Sequence, residues 1–118
     1  MGKNIYGNWT FNEEFECGID KGFAFITQNN EQLNGYLEYE EFIEGEPPFK
    51  VMQMFSGTIN DNKIHLVGIG VTNQNGESIP DYNLDTLEGV LTYEGKIVGH
   101  SFDCNDICGV FVMERMIE

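Results

Sequence analysis

Apolar and polar residues alternate with a period of two along most of this chain. Trp9, Phe11 and Phe15 share one face of the first such run, and Leu37, Tyr39 and Ile43 one face of the third. Phe49, Val51, Phe55 and Ile59 do the same in the fourth, and Phe111 and Met113 in the last. Such alternation marks strands, whereas a helix needs apolar residues three and four apart over about 12 residues. The pattern predicts strands at 7–16, 22–28, 32–43, 49–59, 63–72, 82–93, 96–103 and 107–116. Clusters of Gly, Asn, Asp and Pro separate them at 17–22, 28–31, 44–48, 60–62, 73–81, 94–95 and 103–106. Pro47 and Pro48 cannot donate to a ladder, so no strand crosses that stretch.

Eight short strands joined in order by turns predict an all-β fold. We expect an eight-stranded antiparallel up-and-down β-barrel, closed by pairing of the first and last strands. Gly35, Gly57, Gly89, Gly99 and Gly109 all fall inside predicted strands, where glycine is costly. The strong coiling of a small barrel gives them a reason, with bulges in an open sandwich as the alternative. Closure is preferred because it removes exposed edges. A chain of 118 residues suits one domain, 1–118.

In a meander, odd-numbered turns share one end of the barrel and even-numbered turns the other. The even turns are tight. The odd ones are longer and irregular, which predicts an open mouth at their end and a closed base opposite. Phe11, Phe15, Phe23, Phe25, Tyr39, Val51, Phe55 and Phe111 are expected to face inward. They either fill the lumen or line a cavity.

The net charge is −14, from 20 acidic against 6 basic residues. Nucleic-acid binding is excluded, because phosphate contacts need clustered Lys and Arg. Anionic membranes are disfavoured on the same ground. Asp20, Glu44, Glu46, Asp81, Asp103 and Asp106 fall in or beside the odd turns and form an acidic rim. Such a rim is either solvated loop charge or a field that draws a cation or a basic protein partner. No apolar stretch reaches the ~20 residues of a membrane helix. No signal peptide is visible, so a cytoplasmic location is expected, with a secreted mature form as the alternative.

Gly7-Asn8-Trp9 in the first predicted strand resembles the Gly-x-Trp signature of the lipocalins and the wider calycin group, which includes fatty-acid-binding proteins and avidins. In lipocalins a basic residue of the last strand lies across this Trp at the closed end. The resemblance implies that Trp9, the sole Trp, meets Arg115, the sole Arg, as a structural pair. The likeness stops short of a specific member. The C-terminal helix of lipocalins, the helical pair and interior Arg of fatty-acid-binding proteins, and the Trp-rimmed site of avidins have no counterpart, so biotin and fatty-acid binding are not carried over.

No catalytic motif is present: there is neither a Gly-x-Ser-x-Gly elbow nor a His-Glu-x-x-His pair. His65 and His100 are the only histidines. Alternation sets Glu13 and Glu41 on strand faces with apolar neighbours: they read as lumenal carboxylates whose burial would raise their pKa, as polar anchors for a ligand, or as side chains turned outward by a local bulge. Cys17, Cys104 and Cys108 cluster at the mouth-side seam. They read as reduced thiols, one disulfide (Cys17–Cys108 or Cys104–Cys108), or a weak zinc site completed by a carboxylate. No cofactor is implied. The leading functional reading is non-catalytic binding of a small apolar or amphipathic ligand at the mouth, with Phe15, Phe25, Tyr39, Glu41, Gln53 and Phe55 as candidate contacts. An acidic interaction module for a basic protein and an enzyme using a lumenal carboxylate are the alternatives.

Overall fold

The eight strands are β1 (Gly7–Phe15), β2 (Gly18–Asn29), β3 (Gln32–Ile43), β4 (Phe49–Asn60), β5 (Lys63–Thr72), β6 (Thr86–Leu91), β7 (Ile97–Phe102) and β8 (Cys108–Arg115). Each pairs antiparallel with the next, and β1 pairs with β8, so the sheet closes on itself in sequence order. The computed structural model describes residues 4–80, 82–103 and 107–116, and no helix occurs among them. Asp81, Cys104 and Asp106 therefore lie outside the described residues.

The seam sets the closed base. Trp9 sits directly opposite Arg115 on β8, with the guanidinium carbon 4.5 Å from the indole centroid. The same guanidinium donates from Nη1 to the Tyr6 carbonyl at 2.9 Å and from Nη2 to the Asn4 carbonyl at 3.1 Å. Trp9 Nε1 donates to the carbonyl of Ile5 at 3.0 Å, and Ile5 is itself fully buried. Residues 4–6, just before β1, are thus folded under the barrel and fastened there.

Above this floor the lumen is packed. Trp9, Phe11, Ala24, Ile26, Leu33, Leu37, Tyr39, Val51, Phe55, Phe111 and Met113 all belong to one buried cluster. Of the two outcomes open to the inward aromatics, filling wins through the lower and middle barrel.

Two of those aromatics lie on the other face. Phe23 is exposed, and Phe25 stacks outside the barrel with Tyr6 and Tyr36 at centroid distances of 5.7 and 5.9 Å. Residues directly opposite one another share a face, and the register sets Ala24 against Trp9 and Gly22 against Phe11. Small residues therefore take the inward places on β2, because β1 already fills that space with its two largest rings. Phe25 is accordingly not a lumenal ligand contact.

The interior glycines sit where neighbouring strands crowd. A Cβ on Gly57 would come within 1.9 Å of the His65 carbonyl oxygen, and one on Gly22 within 2.0 Å of that of Glu38. Gly22 also lies opposite both Phe11 and Tyr39, and its missing side chain lets those rings meet at 5.8 Å.

Strand boundaries depart from expectation at two places that matter. β2 begins at Gly18 rather than near 22, because Phe15 pairs with Gly18 across a turn of two residues. That draws Asp20 out of the expected rim loop and into the barrel, where it is 2% exposed. β6 begins at Thr86 rather than 82, so β5 and β6 are joined by a long connection, of which residues 82–85 stand at the mouth. The remaining odd connections lie at the same end, and the even turns at the base are tight, with Asn30 and Asp61 in left-handed conformations.

Candidate functional site

Glu13 on β1, Asp20 on β2 and Glu41 on β3 are cross-strand neighbours in one row, all pointing inward. Their exposures are 5%, 2% and 8%. Like charges placed directly opposite on adjacent strands are destabilising. The barrel nevertheless carries three carboxyls side by side, one layer above Phe11, Gly22 and Tyr39.

These acids wall a chamber of about 220 Å³ at the loop-rich end, together with Tyr82, Asp85 and Ser101. Phe15, Ile43 and Ile107 supply apolar surface at its rim. Ser101 Oγ, on β7, donates a short hydrogen bond to Glu13 Oε2. Tyr82 OH donates to Glu41 Oε1 at 3.2 Å and lies 2.6 Å from Tyr39 OH. Since the one Tyr82 hydrogen is used on Glu41, Tyr39 donates to Tyr82.

Gln53 fastens the connection to the wall. Its Nε2 donates to Tyr39 OH at 3.1 Å and to Asp85 Oδ2 at 3.2 Å, while its Oε1 accepts from the Asp85 amide at 2.8 Å. Gly68 makes room for that amide, because a Cβ there would stand 2.2 Å from Gln53 Oε1. A register shift between Met54 and Phe55 sits at the same place on the β4–β5 ladder. The Gly68 amide in turn donates to the Asp85 carbonyl at 2.8 Å. Replacing Gln53 by Leu strands polar groups on Asp85 and Tyr39, at a typical cost of about 1–3 kcal/mol. We expect Gln53→Leu to lower the unfolding free energy by about 2 kcal/mol and to speed hydrogen exchange at the Gly68 and Asp85 amides. Unchanged exchange at both amides would show that Gln53 does not hold the connection.

The electrostatics follow from burial. Removal from water, reinforced by the neighbouring Glu13, holds the Asp20 carboxyl far above the usual carboxylate range. Burial also raises Glu41, partly offset by hydrogen bonds from Asp20 and Tyr82. Asp85 is pushed up to about 7, by burial first and by the Glu13 charge second, against the pull of the Gln53 amide. Tyr39 and Tyr82 are raised by burial as well and stay protonated donors.

The structure gathers some of the expected contacts and disperses others. Glu41 and Phe15 line the chamber, and Tyr39 and Gln53 stand behind it in the network. Phe55 is core, 2% exposed and away from the chamber lining. Of the acidic rim, Asp103 is half-buried in the chamber lining, whereas Glu44 and Glu46 are exposed. Cys17 and Cys108 both line the chamber and are thiols, not bridged to each other. Among the described residues no group of three His, Cys, Asp or Glu side chains is arranged to hold a metal ion. His65 and His100 lie outside the barrel, either side of Glu88 at 3.1 and 3.7 Å.

Tyr82, Asp85 and Ser101 carry no sequence signal as site residues. Ser101 is foreshadowed only by alternation with the outward His100. Tyr82 and Asp85 fall in a stretch whose composition reads as strand.

No protein-family model matches the chain, and no curated protein matches it. Among solved structures it is similar to a redesigned β-barrel, mFAP1, determined bound to DFHBI. The similarity covers 94% of each chain at 10% identity, with a TM-score of 0.71. At that identity the likeness is one of fold: a small closed β-barrel. No helix of the described residues is long and apolar enough to cross a membrane.

Proposed function

We propose that this protein is a binding barrel that holds a small molecule non-covalently in the chamber at its loop-rich end. The observation that carries the reading is the abrupt change of interior from a packed apolar core to a polar chamber of about 220 Å³. Protein interiors otherwise tolerate few voids of that size. The volume corresponds to about seven waters, below the ~300 Å³ at which drug-sized sites begin. A compact molecule fits, as does the head of a longer amphipathic one whose remainder leaves past Phe15 and Ile107. That mFAP1 was determined bound to DFHBI supports a barrel of this shape as a host for small molecules.

A fragment screen followed by amide chemical shifts tests the reading. Ligands are expected to move the Asp20, Ser101 and Asp85 signals, and Ile107→Trp at the rim is expected to weaken them at least about tenfold by occupying the entrance. Fragments that gather only on the outer face around Phe23 and Tyr36, with the chamber signals unmoved, would sink it.

A further inference from the structure

The hydrogen-bond inventory of the chamber is lopsided. Ser101 donates to Glu13, Tyr82 to Glu41, Tyr39 to Tyr82, and the Gln53 amide to both Tyr39 and Asp85. The Ser101, Tyr39 and Tyr82 hydroxyls and the Gln53 amide are thus already committed as donors, and Asn83 is an amide-bearing residue of the lining. The carboxyl oxygens keep acceptor capacity to spare, since each accepts more than one hydrogen bond. Among the described residues no Lys, Arg or His lines the chamber.

A second observation points the same way. Asp20 is 2% exposed, lines the chamber, and its Oδ1 has no hydrogen-bond partner. Buried acceptors are almost always satisfied, so an orphan that faces a chamber marks where a donor belongs. It sits in the middle of the row, with Glu13 opposite on one side and Glu41 on the other. A donor placed there meets Asp20, with a carboxyl-bearing residue on the strand to either side.

We propose that the chamber captures the protonated amine head of a small amphipathic molecule, one N–H bonding Asp20 Oδ1 and its charge lying between the flanking carboxyls of Glu13 and Glu41. The inference rests on the reading of the chamber as a binding site and names the ligand class. A primary ammonium has three donors and one positive charge, which matches a row of acceptors that repel one another. A bare metal ion fits less well, because three adjacent strands spread the carboxyls along a line instead of converging them. The apolar rim of Phe15, Ile43 and Ile107 then receives the hydrocarbon part, so the molecule enters head first. Asp20 and Glu41, both raised by burial, hold protons where an ammonium would otherwise supply the positive charge.

Four probes of similar size separate the outcomes when titrated into 15N-labelled protein at constant ionic strength. They are butylammonium, 1-butanol, butyrate and tetramethylammonium. Butylammonium is expected to move the Glu13, Asp20 and Glu41 amides saturably, at least about tenfold tighter than 1-butanol or tetramethylammonium. The double variant Glu13→Gln/Glu41→Gln should cost about another tenfold while its dispersed spectrum shows it folded. Equal binding of 1-butanol, preference for butyrate, or an indifferent double variant overturns the ammonium assignment but leaves the chamber a binding site. Equal binding of tetramethylammonium also overturns it, since charge without N–H donors would then suffice. Failure of all four probes to move chamber amides removes the assignment and the binding reading together.

Discussion

Unfolding free energy is expected to fall as pH rises from about 4 to about 8, the reverse of a protein held by paired carboxylates. Asp20, Glu41 and Asp85 are all raised in the folded barrel, chiefly by burial. In the unfolded chain the same groups ionise near 4. Between those values the folded state holds protons that the unfolded state has released, so raising the pH favours unfolding. The contribution is fully present below about pH 4. For Asp85 it is lost by about pH 7, and for Asp20 the loss continues above that.

Each proton retained on folding is worth about 1.4 kcal/mol per pH unit. Asp85 alone supplies at most about 4 kcal/mol between 3.8 and about 7, less after solvent screening of a partly exposed group. Urea titrations at pH 5 and pH 8 in high salt isolate the effect, because salt suppresses the repulsion of the −14 surface. Asp85→Asn should make the profile shallower below pH 7, and Asp20→Asn should make it shallower both below and above pH 7. A midpoint that is flat or that climbs with pH would mean the row is hydrated and ionised.

The second large effect belongs to the opposite end. Trp9 is fully buried, bonded to Ile5 and covered by Arg115. Trp9→Ala removes the largest side chain of the base and leaves the Ile5 carbonyl without its donor. Truncations of this kind cost about 3–5 kcal/mol, a large part of the 5–15 kcal/mol by which small domains are stable. Arg115→Ala should cost less, about 1–2 kcal/mol, since it forfeits a cation–π contact and two charge-assisted bonds at a partly wet surface. Chemical denaturation at fixed pH reads both. If Trp9→Ala costs under about 1 kcal/mol, the floor is not the anchor of the barrel.

What the chain reveals before folding is its order and its closure. Alternation exposes β1, β3, β4 and β8, and the pairing of Trp9 with Arg115 follows once first and last strands are zipped. β2 is harder, because Phe23, Ala24, Phe25 and Ile26 are apolar on both faces. Only the cross-strand demand for something small opposite Trp9 and Phe11 settles which face turns in. That same parity decides Asp20. Its neighbours Gly18 and Gly22 look like turn residues, yet they are strand positions, so an acid that reads as solvated is sealed inside. Tyr82 and Asp85 were not legible, since their roles come from a connection that Gln53 ties across the opening.

The lone indole beneath the guanidinium has a practical corollary. Its emission comes from the floor and should remain indifferent to anything entering at the far end, whereas Tyr82 lines the chamber with Tyr39 bonded behind it, and this pair should respond in absorbance. The molecule thus carries two built-in optical gauges, one for integrity of the shell and one for occupancy.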